Sequence, residues 1–524
     1  MCSSVVERHS DKMEAVGSIP TTPKEKGVVN KKMRYFVKIG LEVHLELRTK
    51  TKMFCDCLND PTEKTPNINI CPVCLGHPGT LPVINREAVN KVIKAGLALN
   101  CQILEEPRFD RKNYFYPDLP KNYQISQLYQ PLCRNGFLEI GGDRIGIREI
   151  HLEEDTGRLI HSSEGDYSLV DFNRAGVPLM ELVTEPDITS AKKAGEFARE
   201  LQLIFRYLDI SDADMEKGQM RVEINLSLSK SQSDFGTKVE VKNLNSFRAV
   251  ERAAEYEIKR QSKLLDEEKK VVQETRGWDP SKGITFSQRE KEEAQDYRYF
   301  PEPDLPPLHI TQDIIDRLKA EIPELPDKKR KRLQRQYGLS EEAVEVFVQN
   351  KDLGEYFENV MSELRRWIRD VEKKSKVEEK EFFELARLCS NYMITDLQGL
   401  LKGASVEDEN FLISPENFAE FVTLIYKGTL SSKIAKTVLQ EMFSKGLDPS
   451  CVIEEKGLAL ISSQSEIEKI VKEIVSQNPK PVEDYKKGKE NALQFLVGKV
   501  MAKTKGRADP KVTRETLLRI LGSS

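Results

Sequence analysis

VDFNRAGVPLMELVTEP, residues 170–186, brings together three carboxylates (Asp171, Glu181, Glu185), two side-chain donors (Asn173, Arg174) and a Gly176/Pro178 break between two short apolar runs. Gly and Pro punctuate a turn, so the stretch reads as an irregular corner on the rim of a sheet. Carboxylates at such a corner suit a hard cation, which takes oxygen ligands and meets phosphates through one or two carboxylates plus water. Arg174 has the shape to fork onto a phosphate or carboxylate. The plainer alternative is an Asp–Arg pair that only fixes the turn.

Outward from this corner, other segments offer matching chemistry. In KIGLEVHLEL (38–47) Glu42, His44 and Glu46 share one parity, with Phe36 just upstream, and Ile39, Leu41, Val43, Leu45 and Leu47 share the other. Side chains alternate along a strand, so the aliphatics enter a core and Glu-x-His-x-Glu lines one face, either as metal ligands or as a solvated row. IREIHLEEDTG (147–157) alternates likewise, His151 and Glu153 on one face and Ile150, Leu152 and Glu154 on the other. Three separate segments thus offer oxygen or imidazole ligands, which favours a metal–phosphate site over isolated structural pairs.

Cys55-x-Cys57 and Cys71-x-x-Cys74 have the spacing of a closed tetrahedral zinc site, structural rather than catalytic because four thiolates leave no open position. Free thiols in a hairpin are the alternative, and His77 is a possible substitute ligand. DRKNYFYPDLPKNYQISQ (110–127) interleaves Tyr114, Phe115, Tyr116 and Tyr123 with Arg111, Lys112 and Lys121. That mixture suits stacking on bases and touching phosphates, though aromatic clusters also pack beneath loops, and Pro117 and Pro120 make this one a loop.

The 524-residue chain carries 81 Lys plus Arg against 85 Asp plus Glu, so its net charge of -4 supplies no global attraction for nucleic acid. No run of ~18 apolar residues is present, which argues against a membrane span. Nine cysteines, an odd number without a secretory signal, argue against a disulfide framework and imply a reducing cytosol. Residues 1–32 lack an apolar period and are expected to be disordered, with translation expected from Met33. There is no phosphate-binding G-x-x-x-x-G-K-[ST] loop, no strand-linked G-x-G-x-x-G and no G-x-S-x-G elbow.

Helical periodicity runs over 85–100 and, capped by Thr189 or Ser190, through Leu208. Strands from Arg221 and Thr237 set Arg221, Glu223 and Asn225 against Lys238, Glu240 and Lys242, either as cross-strand ion pairs or as the polar floor of a cleft. The proline-rich 287–308 reads as a stiff connection ending the first domain. Beyond it only helical patterns remain, at 340–364, 379–388, 415–426 and 432–443. The terminal stretch sets Lys486, Lys487, Lys489, Lys499, Lys503, Lys505 and Arg507 beside an apolar helical stripe, either a grip on a phosphate backbone or a solvated face.

IGLEVHLEL, FDRKNYFYPDLPKNYQISQ, IHLEEDTG, VDFNRAGVPLMELVTEP, VKNLNSF, DYRYFPEPD and VEDYKKGKENALQFLVGKVMAK, in that order, resemble the B subunit of the bacterial glutamyl/aspartyl-tRNA amidotransferase, the GatB family, from about Met33 to the end. The resemblance implies an α+β protein: an antiparallel-sheet cradle (33–312) with a zinc insertion, an all-helical domain (313–456) and a small helical tail (457–524) of YqeY type that binds tRNA. It implies an ATP-dependent ligase component that phosphorylates the side-chain carboxylate of misacylated Glu-tRNA(Gln) or Asp-tRNA(Asn). Ammonia from the glutamine-hydrolysing A subunit then displaces phosphate, and a small C subunit holds the two larger ones together. Mg2+ is expected on Glu42, His44, Glu154 and Glu181, with Glu154 preferred to Glu153 on the family pattern. Arg174 joins the expected catalytic set; Asp171, Asn173, Lys112 and Lys121 are expected ATP contacts, and Glu153 and Asp155 stand behind them. Zinc on Cys55, Cys57, Cys71 and Cys74 is expected to brace the cradle, and the location to be cytoplasmic. The alternative is a non-catalytic, zinc-stabilised RNA-binding scaffold; a stand-alone glutamine hydrolase lacks its nucleophile motif.

Overall fold

Alternation shapes the central strand. In β1 (Phe36–Glu46) Ile39, Leu41, Val43 and Leu45 are fully buried, while Glu42 and His44 lie half-buried on the other face. The computed structural model describes residues 35–163, 165–290, 297–371, 379–458, 464–504 and 506–522; the expected disordered segment 1–32 and Lys505 fall outside the described residues. Further strands follow in order: β2 (Gln102–Ile103), β3 (Asp110–Asn113), β4 (Tyr123–Ser126), β5 (Cys133–Ile140), β6 (Asp143–Glu154), β7 (Arg158–His161) and β8 (Ser168–Asp171). Then come β9 (Pro178–Thr184), β10 (Met220–Ser229), β11 (Val239–Leu244), β12 (Glu274–Asp279), β13 (Ile284–Glu290) and β14 (Phe300–Pro301).

Nine of these strands form one sheet in the order β13-β12-β11-β10-β1-β9-β6-β5-β2, antiparallel except for the β11–β12 pair. The aliphatic face is covered by α1 (Arg86–Ala98), α2 (Ala191–Tyr207) and α3 (Phe247–Asp266), whose buried residues share its core. Each helix begins where a side chain satisfies otherwise orphaned amides: Asn85 accepts from Glu87 and Ala88, Ser190 from Lys193, and Ser246 from Ala249. Such caps contribute about 1 kcal/mol each. The small sheet β14-β3-β4 meets the polar face, where Ser126 of β4 reaches Glu153, and β7 and β8 pair as a separate ribbon.

Two local expectations change. The aromatic 110–127 stretch is not all loop, because its ends form β3 and β4. The supposed connection after residue 287 folds back onto the cradle: β14 pairs with β3, Asn113 N donates to Tyr297 O (2.9 Å), and Leu308 N donates to Pro107 O (3.0 Å). Prolines end the helical and strand patterns there without revealing that the extended backbone pairs with a remote strand.

Helices then take over, with α4 (Gln312–Ala320), α5 (Pro326–Tyr337), α6 (Glu341–Gln349), α7 (Lys351–Val371) and α8 (Glu379–Asn391). Asn350 divides the expected 340–364 helix into α6 and α7. Three apolar cores result, running from Tyr35 to Leu318, from Leu333 to Ile453 and from Ile467 to Leu521. Among the described residues no helix is long and apolar enough to cross a membrane.

The first two cores are joined by charge. Arg330 forks onto Glu200 of α2 (2.7 and 2.9 Å) and onto Glu345 of α6 (2.7 and 3.1 Å), and Tyr207 Oη donates to Val348 O (2.8 Å). Arg330→Ala strands two half-buried carboxylates and is expected to cost about 2 kcal/mol, read as a lower urea midpoint. An unchanged midpoint would show that the clamp adds nothing.

Candidate active site: two adjoining acidic sets on one sheet face

Register, rather than proximity in sequence, builds the site. His44 of β1 lies opposite Glu181 of β9 on one side and Arg221 of β10 on the other, Glu42 lies opposite Glu223, and Glu181 lies opposite His151 of β6. Equal parity sends all these side chains to the polar face. Two ligand sets emerge, each with one donor atom per residue within 4.8 Å of the others: His44, Glu153 and Glu181, and beside them Glu42, Glu223 and Glu240. His44 Nε2 is 3.9 Å from both Glu153 Oε1 and Glu181 Oε2.

The local charges are poorly balanced without a cation. Burial, and then the charges of Glu181 and Glu223, push the Glu42 carboxyl up; burial and Glu181 do the same to Glu153. Burial would also raise Glu181, but His44, His151, Lys112 and Lys242 together hold it below the ordinary carboxylate value. Burial would lower Lys112, but Glu153, Tyr299 and Glu181 keep its ammonium form favoured. Lys112 reaches the face from β3, its Nζ 5.2 Å from the Tyr297 ring centre. Like charges directly opposed on a sheet are destabilising, so the arrangement suits one or more hard divalent ions. Ser126 Oγ donates to Glu153 Oε2 (2.9 Å), Asn225 Nδ2 to Glu42 Oε1 (2.7 Å), and Lys242 pairs with Glu223 (2.9 Å) and Glu240 (3.1 Å).

Of the expected Mg2+ ligands, His44 and Glu181 converge, and Glu42 sits in the adjoining set. Glu154 turns to the other side of β6, where its Oε1 accepts from Ile125 N (3.0 Å) and its Oε2 from Lys121 Nζ (2.5 Å). Glu153 takes the place beside His44. Lys121 is therefore engaged with Glu154, away from the two sets. Asp171 and Asn173 are occupied too: Asp171 Oδ1 accepts from Asn67 N (3.1 Å), and Asn173 Oδ1 accepts from Ile68 N (2.9 Å) and Asn69 N (3.0 Å). Arg174 donates to Thr156 O (3.1 Å) and Gly157 O (2.9 Å), and lies 3.6 Å from Asp155, which Arg221 holds at 3.0 Å. Glu185 points outward to Arg148. Glu153, Glu223, Glu240, Arg221 and Lys242 are visible in the sequence only as polar rows; pairing between distant strands unites them.

Glu46 lies on the same face, one step beyond His44 at the end of β1. Burial, and then Asp155, push its carboxyl up to about 7. A folded-state value above the ordinary one means that stability falls as pH rises from the ordinary carboxylate range through 7. Glu46→Gln is therefore expected to stabilise the metal-free chain by on the order of 2 kcal/mol at pH 8 and not at pH 4. Equal unfolding midpoints at pH 8 would contradict this.

The four cysteine sulfurs lie within 4.8 Å of one another, compatible with the ~3.8 Å sulfur spacing of tetrahedral Zn–S bonds. His77 is exposed and outside the set. In the tail Lys487 pairs with Glu483 (2.6 Å), Lys489 with Asp484 (2.9 Å) and Lys503 with Glu473, while Lys499 lies 5.3 Å from the Phe495 ring centre. The basic stripe is thus interleaved with acids; exposed pairs of this kind are weak and exchangeable.

A sheet face with two groups able to hold a cation, a cluster of four thiols beside it and helical modules beyond defines a cradle with helical appendages. Family models match in the same order: the GatB/GatE catalytic domain over residues 37–316 and the GatB domain over 374–521. The chain belongs to the family of B subunits of tRNA-dependent amidotransferases. It is 47% identical over 491 residues (92% of this chain, 98% of the relative) to the B subunit of the aspartyl/glutamyl-tRNA(Asn/Gln) amidotransferase from Carboxydothermus hydrogenoformans. The proteins of the same name are 46% identical over 500 residues in Thermotoga maritima (93% and 99%) and 47% over 494 in Persephonella marina (93% and 100%). These relatives are named as components of a larger amidotransferase.

Proposed function

We propose that this chain is the kinase and transamidase component for misacylated Glu-tRNA(Gln), Asp-tRNA(Asn) or both, in the cytoplasm, with the A and C subunits of the amidotransferase as partners. The observation that carries the reading is the pair of acidic sets, His44–Glu153–Glu181 and Glu42–Glu223–Glu240, facing Lys112 on one side of the sheet. Mg2+ held there would neutralise charge on the ATP phosphates, the main task of a phosphoryl-transfer catalyst. Lys112 adds a fixed cation. The substrate's side-chain carboxylate oxygen attacks the γ-phosphorus and ADP leaves, giving an acyl phosphate. Ammonia from the glutamine-hydrolysing partner then attacks the carbonyl carbon, phosphate departs, and the new amide nitrogen sheds a proton. The cysteines would hold zinc as a brace, and the tail lysines would grip the tRNA away from its acceptor end.

The test is ATP-dependent amidation of each misacylated tRNA by the assembled complex, with ADP and amide measured separately. Amidation unaffected by removing ATP, or by altering both acidic sets, would return the chain to a scaffold role. Glutamine hydrolysis by the isolated chain would contradict the division of labour.

A further inference from the structure

We propose that Lys52 is a positioning residue that couples the four-cysteine metal site to the turn carrying Arg174 and leading into Glu181. The proposal rests on the reading that the cysteines hold zinc. Lys52 is fully buried, and its Nζ donates to Asn69 O (2.7 Å) and Phe172 O (3.3 Å) and lies 3.9 Å from Cys74 Sγ. A buried ammonium is costly unless an anion compensates it. Among the described residues no carboxylate forms an ion pair with Lys52; the two carbonyls supply dipoles only. Four thiolates around one divalent ion leave a net charge of about −2, and Cys74 sets that charge beside the ammonium. The metal site would therefore compensate the Lys52 ammonium, which in turn offsets about half of the site's charge and holds the Phe172 carbonyl.

The backbone makes the same connection. Lys52 N donates to Cys57 O (3.0 Å), and Met53 N donates to Gly176 O (2.7 Å). On the far side of the knuckle, Phe172 N donates to Asn67 Oδ1 (2.7 Å) and Asn173 Nδ2 to Thr65 O (2.7 Å). Gly176 has a φ of +85°, and a Cβ built there would lie 3.4 Å from the Cys74 Cβ. The 52–57, 65–74 and 170–176 segments thus form one unit with Lys52 at its centre, and β9 with Glu181 leaves directly from it. Metal loss would release Lys52 from its counter-charge and loosen the turn that sets the height of Glu181 against His44.

The experiment compares wild type, Lys52→Met and Lys52→Arg in the assembled complex. Zinc content, the rate of zinc release to a colorimetric chelator, and kcat and KM for amidation are measured. Outer-shell partners of a metal typically change its affinity 10- to 100-fold, so Lys52→Met should release zinc at least about tenfold faster, with Lys52→Arg closer to wild type. Its kcat should fall while glutamine hydrolysis by the partner persists. Wild-type release kinetics in Lys52→Met would overturn the coupling. Because that variant could fail to fold, amide hydrogen exchange across 172–177 is also compared in wild type before and after zinc removal. Faster exchange there supports the coupling, and unchanged exchange overturns it. Wild type purified without stoichiometric zinc would instead defeat the underlying metal assignment.

Discussion

Glu181→Gln lowers amidation by about 1,000-fold in the expected outcome, a loss typical of removing an anionic metal ligand or a comparable electrostatic contact at a reacting phosphate. Glutamine preserves the size of the side chain and its place on β9. What disappears is the charge that His44, His151 and Lys112 stabilise. The set loses the carboxylate whose charge its neighbours favour, whereas burial and then Glu181 disfavour the charge on Glu153. Both ADP formation and amide formation should fall together, with tRNA binding and the partner's glutamine hydrolysis retained. A variant that still makes ADP at the wild-type rate would move Glu181 out of the phosphoryl-transfer step. Activity within tenfold of wild type would remove it from the site.

Lys112→Met is expected to cost about 100-fold in kcat, since it deletes a preorganised cation from a partly desolvated site. Methionine retains much of the packing against Tyr114 and Tyr297. The lysine is a charge facing Glu153 and Glu181 and packed against the Tyr114 and Tyr297 rings. A contact strengthened only as charge shifts to the leaving ADP lowers kcat more than it raises KM. A rise in the KM for ATP with unchanged kcat would instead make Lys112 a ground-state contact.

The sequence shows why some of this site is legible and some is not. Alternation alone separates Glu42 and His44 from the aliphatic face of β1, because a two-residue period survives without knowledge of neighbours. At the acidic strand end parity alone does not decide between Glu153 and Glu154; in the structure Glu153 is the one that lies 3.9 Å from His44. The family resemblance favours Glu154, which instead meets Lys121. Pairing is another matter: β1 lies between β9 and β10, strands that begin more than 130 residues later, and no single-strand pattern fixes that register. Asp171 and Asn173 read as ligand contacts because free carboxylates and amides look alike in a string of letters. In the folded chain their oxygens satisfy the amides of 67–69, a demand made by a loop a hundred residues away. The lysine stripe of the tail likewise conceals its acids, which arrive at Glu473, Glu483 and Asp484 from other turns of the helical tail.

Arg330 has a kinematic consequence. With its guanidinium forked onto Glu200 of the cradle and held from behind by Glu345 of its own helical module, the second core cannot swivel on the cradle without breaking the Glu200 fork and the Tyr207–Val348 bond. Among the described residues the tail meets the second core through Ser431 Oγ to Gly506 O (2.9 Å) and Arg507 Nη1 to Gly457 O (3.3 Å). Rotation at the joint between the sheet and the neighbouring helices therefore has to undo a charged fork between residues that stand 130 positions apart in the chain.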